Sequence, residues 1–256
     1  MGFLKNLGFT LATGVSGKGY RAHVQGNQLS EQGKPEEARQ KHEEALKYYE
    51  QATREGKMTV SYLMAYGVLL LRMKQFEKAR EIFLKAEHDK RITKEERRQL
   101  RTNFAVCQWK LGHLDSAIEQ LKIAKQDGNN SMIYGSLGYM LIEKAIQTGD
   151  FAEAIAFNDE ALDYDEEDSV VLDNLGQLNL AMGNREKALE FFKKAHEQKP
   201  SQVDTLYYLA KLAFEDGDRE TARTYLTTAL SGNYSALATV SREQAQALLD
   251  QVQKAG

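Results

Sequence analysis

The stretch LGQLNLAMGNREKALEFFKKAHEQKP, Leu175 to Pro200, decides the fold. A Leu-Gly pair at Leu175-Gly176 is followed by Gly183-Asn184, then by Ala188, Phe192 and Ala195, and last by Pro200. Ala188, Phe192 and Ala195 stand at i, i+4 and i+7, one face of a helix. The Gly-Asn pair is a turn signal, so the stretch divides into two helical patterns. Nothing in it reads as a catalytic set.

The same phase recurs on both sides. Leu206, Leu209, Ala210, Gly217-Asp218, Ala222, Leu226 and Ala229 repeat it downstream at a period of 34 residues. Upstream, Tyr134, Leu137-Gly138, Gly149-Asp150, Ala154 and Ala161 repeat it with four extra residues before the turn. Phe104-Ala105, Gly112-His113, Ala117, Leu121 and Ala124 form another copy, and Leu63, Tyr66-Gly67, Ala79, Phe83 and Ala86 the one before it. The first copy keeps Gly26, Gly33-Lys34, Ala38, His42 and Ala45. Six copies thus cover residues 19 to 236.

This pattern resembles the tetratricopeptide repeat, W-x2-L-G-x2-Y followed by A-x3-F, A and P at the same period. No copy carries the opening Trp, and only the fifth carries the closing Pro. The resemblance implies an all-α fold, a right-handed α-solenoid of about six helix pairs. The physics agrees. A small residue such as Gly176 or Ala210 lets two helices approach closely, each copy turning at a Gly-containing corner. One pair cannot bury both of its apolar faces, whereas stacked pairs can. The division expected is an amphipathic or capping segment over 1–18, the solenoid over 19–236, and a capping helix over 237–256.

Composition fits this reading. Only Pro35 and Pro200 interrupt the chain, which suits long helices. A net charge of −3 gives no global pull toward nucleic acid or an anionic membrane. The lone Cys107 excludes an internal disulfide and a multi-cysteine metal site. No apolar run is long enough to span a membrane.

Several places depart from the period. EALKYYEQATREG makes the second helix of the first copy longer by about two turns, and GYMLIEKAIQTGD lengthens the first helix of the fourth copy by about one turn. At the C-terminus, Ser241 and Gln244 form a capping box ahead of a stripe of Ala247, Leu248 and Val252. At the N-terminus, Leu4, Leu7, Leu11 and Val15 share one helical face, and SGKGY reads as a flexible joint. Residues 2–15 suit a folded-back cap, a membrane-surface helix or a targeting segment.

Motifs that carry chemistry fail on inspection. GVSGKG lacks the leading Gly of a phosphate loop, where Ala12 stands, and has Gly19 in place of the hydroxyl residue. The HE pairs at His42 and His196 lack the second zinc-binding His, and His42 falls in a core-facing slot. The acidic run from Asp159 to Asp168 lacks the Gly and Glu of a calcium loop and precedes a helix N-terminus, which favours negative charge. DKRITKEERRQLR mixes its basic residues with acids and reads as a solvated face. No enzyme, cofactor or metal is expected, and no nucleic acid.

The resemblance also implies that the first helices line a concave groove for a partner peptide or helix. Carried onto this chain, that gives Tyr20, His23, Met64, Val68, Asn103, Trp109, Met132, Tyr139, Asp173, Asn174, Tyr207, Tyr208 and Lys211. Asn103 and Asn174 stand outside the core pattern and are expected to be spare for binding. A subclass clamps C-terminal carboxylates with basic residues, but His23, Gln99, Thr102, Val170 and Tyr208 fill those slots here. The function expected is a cytoplasmic interaction scaffold or adaptor for another protein. The alternatives are a peripheral membrane adaptor docking through residues 2–15, and a regulatory subunit of an enzyme.

Overall fold

A computed structural model describes residues 14–254, and among these every regular element is a helix. The six copies become twelve helices, two to a copy: α1 (Gly14–Glu31) and α2 (Pro35–Arg54), α3 (Val60–Arg72) and α4 (Phe76–Glu87), α5 (Lys94–Lys110) and α6 (Leu114–Gln126), α7 (Ser131–Thr148) and α8 (Ala152–Tyr164), α9 (Ser169–Ala181) and α10 (Arg185–Gln198), and α11 (Val203–Glu215) and α12 (Arg219–Ser231). A last helix, α13 (Arg242–Lys254), follows them. The chain divides into two compact units, Met1–Gln120 and Leu121–Gly256. Within each, helices pack only on near neighbours: α3 on α1, α2, α4 and α5 in the first, α11 on α10, α12 and α13 in the second. That is the contact pattern of a repeat array.

The small residue of the first helix sets each pair. A Cβ built on Gly176 would lie 2.5 Å from the Phe192 ring, and one on Gly67 would run into Phe83. Both rings are fully buried. Gly26 meets His42 in the same way, and Gly138 meets Asn158. In the sixth pair Ala210 and Leu226 take these places in one buried cluster. The partner lies sixteen residues on in all of these copies except the fourth, where four extra residues make it twenty.

Turn geometry follows the sequence with one exception. Gly33, Gly112, Gly149, Gly183 and Gly217 all take positive φ, the left-handed conformation that stops the first helix. The second copy has no glycine there. Lys74 adopts φ 57° instead, so the expectation of a glycine in every turn is corrected.

The ends also differ in part from expectation. SGKGY is no joint, because α1 runs through it and buries Ser16, Gly17 and Gly19. Gly19 lies under the Tyr49 ring, so its small size serves packing. The rest of the expected N-terminal face, Leu4, Leu7 and Leu11, lies outside the described residues. At the other end the capping box forms: Ser241 N–H donates to Gln244 Oε1 at 2.7 Å, and Gln244 N–H to Ser241 Oγ at 3.1 Å. The apolar stripe behind it is Ala245, Leu248, Leu249 and Val252, with Ala247 exposed. The extra turns of α2 and α7 appear as expected, at 20 and 18 residues against 13 for α9 and α11.

The first pair buries two histidines face to edge, with ring centroids 5.8 Å apart. His42 Nε2 pairs with Asn27 Oδ1 at 3.0 Å, as suits a core slot. His23, expected to line a groove, is fully buried, and neither of its ring nitrogens has a hydrogen-bond partner. Burial pushes His23 down to about 3, with His42 and the Arg72 guanidinium adding to the shift. Burial and Arg72 bring His42 down to about 4.

Two outcomes are expected. Gly176→Leu forces the Phe192 ring out of its place and destabilises the chain by about 1–3 kcal/mol in urea unfolding; an unchanged midpoint would show that the contact does not constrain the pair. Second, both histidines are neutral when folded and charged when unfolded below about pH 6.5. Their contribution is complete above that value and is lost as pH falls toward 4 and then 3. Amide exchange in α1 and α2 should therefore accelerate from pH 7 to pH 5, beyond the intrinsic pH effect. His23→Leu should reduce that change by up to about 1.4 kcal/mol per pH unit.

Candidate partner-binding face

The residues named as groove candidates divide by burial. In the first unit Met64 and Asn103 are buried, while Val68 and Trp109 are half-buried. Lys110 lays its ammonium 3.6 Å from the centre of the Trp109 ring. In the second unit Met132, Tyr139, Tyr207, Tyr208 and Lys211 are half-buried, whereas Asp173 and Asn174 are buried. Asn174 is not spare for binding: its Nδ2 donates to the Gly135 carbonyl at 2.8 Å and ties α9 to α7. Asn103 is likewise enclosed, with Oδ1 buried and unpartnered.

What the structure does bring together is a polar and aromatic cluster across α7, α9 and α11. Asp168 starts α9 by accepting from Val170 N–H at 2.8 Å, which sets the helix phase and aims Asp173 and Gln177 at α11. Asp173 Oδ1 accepts from Thr205 Oγ1 at 2.6 Å, and its Oδ2 from Gln177 Nε2 at 2.6 Å. Gln202, just before α11, donates to the Ser169 carbonyl and to Thr205 Oγ1, and accepts from Ser169 Oγ. These bonds join α9 to α11 through buried groups, where such bonds are strong and unpaired groups costly.

Charge and rings concentrate at the same place. Burial raises Asp173 far above the usual carboxylate range, and Asp204 adds to this against the bonds from Thr205, Gln177 and Gln202. The Tyr139 and Tyr208 phenols are also raised, by burial first and then by neighbouring acids that include Asp173 and Asp204. Tyr208 stacks on Phe192 with centroids 5.1 Å apart, and Tyr207 meets Tyr208 edge-on at 5.4 Å. The half-buried rings of Tyr139, Tyr207 and Tyr208 give the face ring surface, while Asp173 beneath them is enclosed and bonded at both oxygens.

Asp204 was not a sequence candidate. One of its oxygens accepts from Thr239 N–H at 2.8 Å, Thr239 Oγ1 at 2.9 Å and Val240 N–H at 2.8 Å. Gln177 Nε2 also reaches Thr239 Oγ1, at 3.3 Å. An acid in the first turn of a helix already has a local reason to be there. The only other signal was the length of the link that holds Thr239.

Part of the basic run is paired within itself. Arg91 pairs with Asp89 and Arg98 with Glu95. Cys107 is a core thiol, pushed up to about 12 by burial. Among the described residues no group of three or more His, Cys, Asp or Glu could hold a metal ion, and no helix is long and apolar enough to cross a membrane.

Comparison with known proteins agrees with the geometry. Two family models described as tetratricopeptide repeat match residues 24–93 and 179–235. No curated protein matches the chain. Among solved structures, PilW, a widely conserved type IV pilus biogenesis factor, is similar with TM-score 0.60 and 16% identity over 90% of this chain and 98% of that one. A thermophilic repeat protein of Thermus thermophilus gives TM-score 0.56 and 20% identity over 77% and 99%. A chain of the APC/C hetero-tetramer Cut9-Hcn1 gives 0.59 and 14% over 93% of this chain, which spans only 46% of that longer one.

The buried carboxyl gives a testable pH dependence of opposite sign to the histidines. Asp173 keeps its proton in the folded chain at pH values where the unfolded chain has lost it. Its contribution is complete below the ordinary aspartate value of about 3.9 and is lost as pH rises through the raised one. Asp173→Asn should remove that slope, so the parent loses stability relative to the variant between pH 5 and pH 8, measured by urea unfolding. Parallel curves would show that Asp173 is ionised when folded.

Proposed function

Because this chain is a tetratricopeptide-repeat protein, we propose that it is a non-catalytic scaffold that holds a segment of another protein against the face formed by α7, α9 and α11. Tetratricopeptide repeats are in general protein-interaction modules. The observation that carries the reading is the convergence of Tyr139, Tyr207 and Tyr208 with Asp204 on that face, above the buried Asp173. The three rings are only half-buried, so they retain area to give to a partner. Rings of this kind supply large contact area at little conformational cost. Lys211, one turn further along α11, adds a charge of opposite sign at the rim. Asn174 supports the face by fixing α9 on α7 rather than by touching the partner.

The test uses the protein recovered by a pull-down with the intact chain. Tyr139→Ala and Tyr207→Ala should each weaken binding by about 2 kcal/mol, near thirtyfold, with the fold intact by circular dichroism. If both bind within twofold of the parent, while charge reversal at Lys94, Arg97 and Arg98 or at Asp165 to Asp168 abolishes binding, the partner is held by the charged links and the face is not its site.

A further inference from the structure

The link between α12 and α13 is ten residues long, 232–241, whereas the links 165–168 and 199–202 before α9 and α11 need only four. Connecting successive helices therefore does not require its length. Its path gives the reason. Arg242 holds the base of the link, with Nη2 donating to the Gly232 carbonyl at 3.0 Å, Nη1 donating to that of Leu230, and the guanidinium 4.7 Å from the Tyr234 ring centre. The chain then passes an exposed Leu237 and comes back to lay Thr239 and Val240 on the α9–α11 face.

We propose that residues 232–241 are a strap that fills the partner site from within the chain, and that a partner enters by replacing Thr239-Val240 at Asp204 with a bent segment of the same chemistry: a hydroxyl residue followed by an aliphatic one. This rests on the face being the partner site. Asp204 takes two consecutive backbone N–H groups and the intervening hydroxyl on one oxygen, which the chain presents by bending at Thr239 and Val240, a pattern open to any Ser or Thr segment that bends there. Gln177 completes it by donating to the hydroxyl oxygen, which itself donates to Asp204, so the site distinguishes a hydroxyl from a methyl. Val240 supplies the one buried aliphatic group of the strap. The rest of the seat is polar, with Gln177 buried and Asp204 and Thr239 half-buried, so the segment is held there by hydrogen bonds more than by apolar packing. Bonds that close a folded helix pair are buried among apolar side chains. These bonds instead tie an irregular segment to one carboxylate.

The experiment needs no partner. Residues 233–240 are replaced by a Gly/Ala segment of equal length, which has no hydroxyl to offer Asp204, and a copy of residues 232–241 is joined after Gly256 through a flexible linker. The tether gives the copy an effective concentration on the order of millimolar. Amide exchange is then read at the Thr and Val of the copy. The expected result is exchange slowed by about threefold or more relative to the same protein carrying Asp204→Ala, with helix protection unchanged. In a protein that keeps its own strap and also carries the copy, the copy should exchange freely. Equal rates with and without Asp204 would overturn the proposal, since the strap would then be a link that docks only where the chain places it. Loss of helix protection on replacing the strap would also overturn it, by making residues 233–240 part of the fold. As a check on the native strap, Asp204→Ala in the unmodified chain should accelerate Thr239 and Val240 while sparing α9 to α12. If these amides fail to respond, the bonds to Asp204 do not hold the strap. If the copy does not dock but Tyr139→Ala still abolishes partner binding, the face stands and only the strap falls.

Discussion

One contact recurs and the rest of the structure depends on it: a glycine or alanine on the first helix of a pair set against a larger side chain on the second. With no Cβ on Gly176, the Phe192 ring lies against the α9 backbone and closes the pair. The same holds for Gly67 and Phe83. Each closed pair presents an apolar face that only the next pair can cover, so one local rule propagates along the chain. Interiors packed this closely respond to a single added carbon, which is why the rule is strict in size but tolerant in chemistry. In the first pair the larger residue is His42, in the fourth it is Asn158, and in the sixth Leu226 faces an alanine.

Replacing a ring with a polar group has a consequence that the apolar pairs avoid. Asn158 fills its slot only by donating to the Gly138 and Ala154 carbonyls, and Asn174 does the same for Gly135. The first pair is less complete, because both His23 nitrogens stay without partners. Two buried sites of opposite acid–base character therefore lie in separate units. Acid opposes the histidine pair, and base opposes Asp173. Polar groups of this sort bring sensitivity to solution conditions into an architecture whose repeating contacts have none.

The sequence made the helices legible because the signal is local. A small residue on a first helix read as a close crossing of two helices, and a Ser-x-x-Gln read directly as the start of α13, whereas the ring that fills each crossing came from the structure. The face was legible only as a phase along the first helices. That phase marked Tyr139, Tyr207 and Tyr208, which remain half-buried. It equally marked Met64, Asp173 and Asn174, which the neighbouring helices enclose, because periodicity gives direction and not depth. Asp204 and Thr239 were not legible together. They stand thirty-five residues apart, and each has an ordinary local reading, one as a charge at a helix start and the other as part of a link. Lys74 escaped for a related reason: its left-handed turn is imposed by the helices on either side, and no residue preference announces it.

The four extra residues between Gly138 and Asn158 say something about how such a chain can change length. An α-helix repeats every 3.6 residues. Adding or removing one, two or three residues between the glycine and its partner would rotate one face away from the other and open the pair. Adding four brings the face back to within about 40° of its former direction, and the fourth pair still closes with Gly138 against Asn158. Length in this architecture is thus nearly quantised. Insertions survive as whole turns inside the pairs, while the links between pairs are free to vary by any number, as the ten residues after α12 do. A lineage of such proteins would accumulate its small, irregular insertions at the corners and its regular ones along the rods.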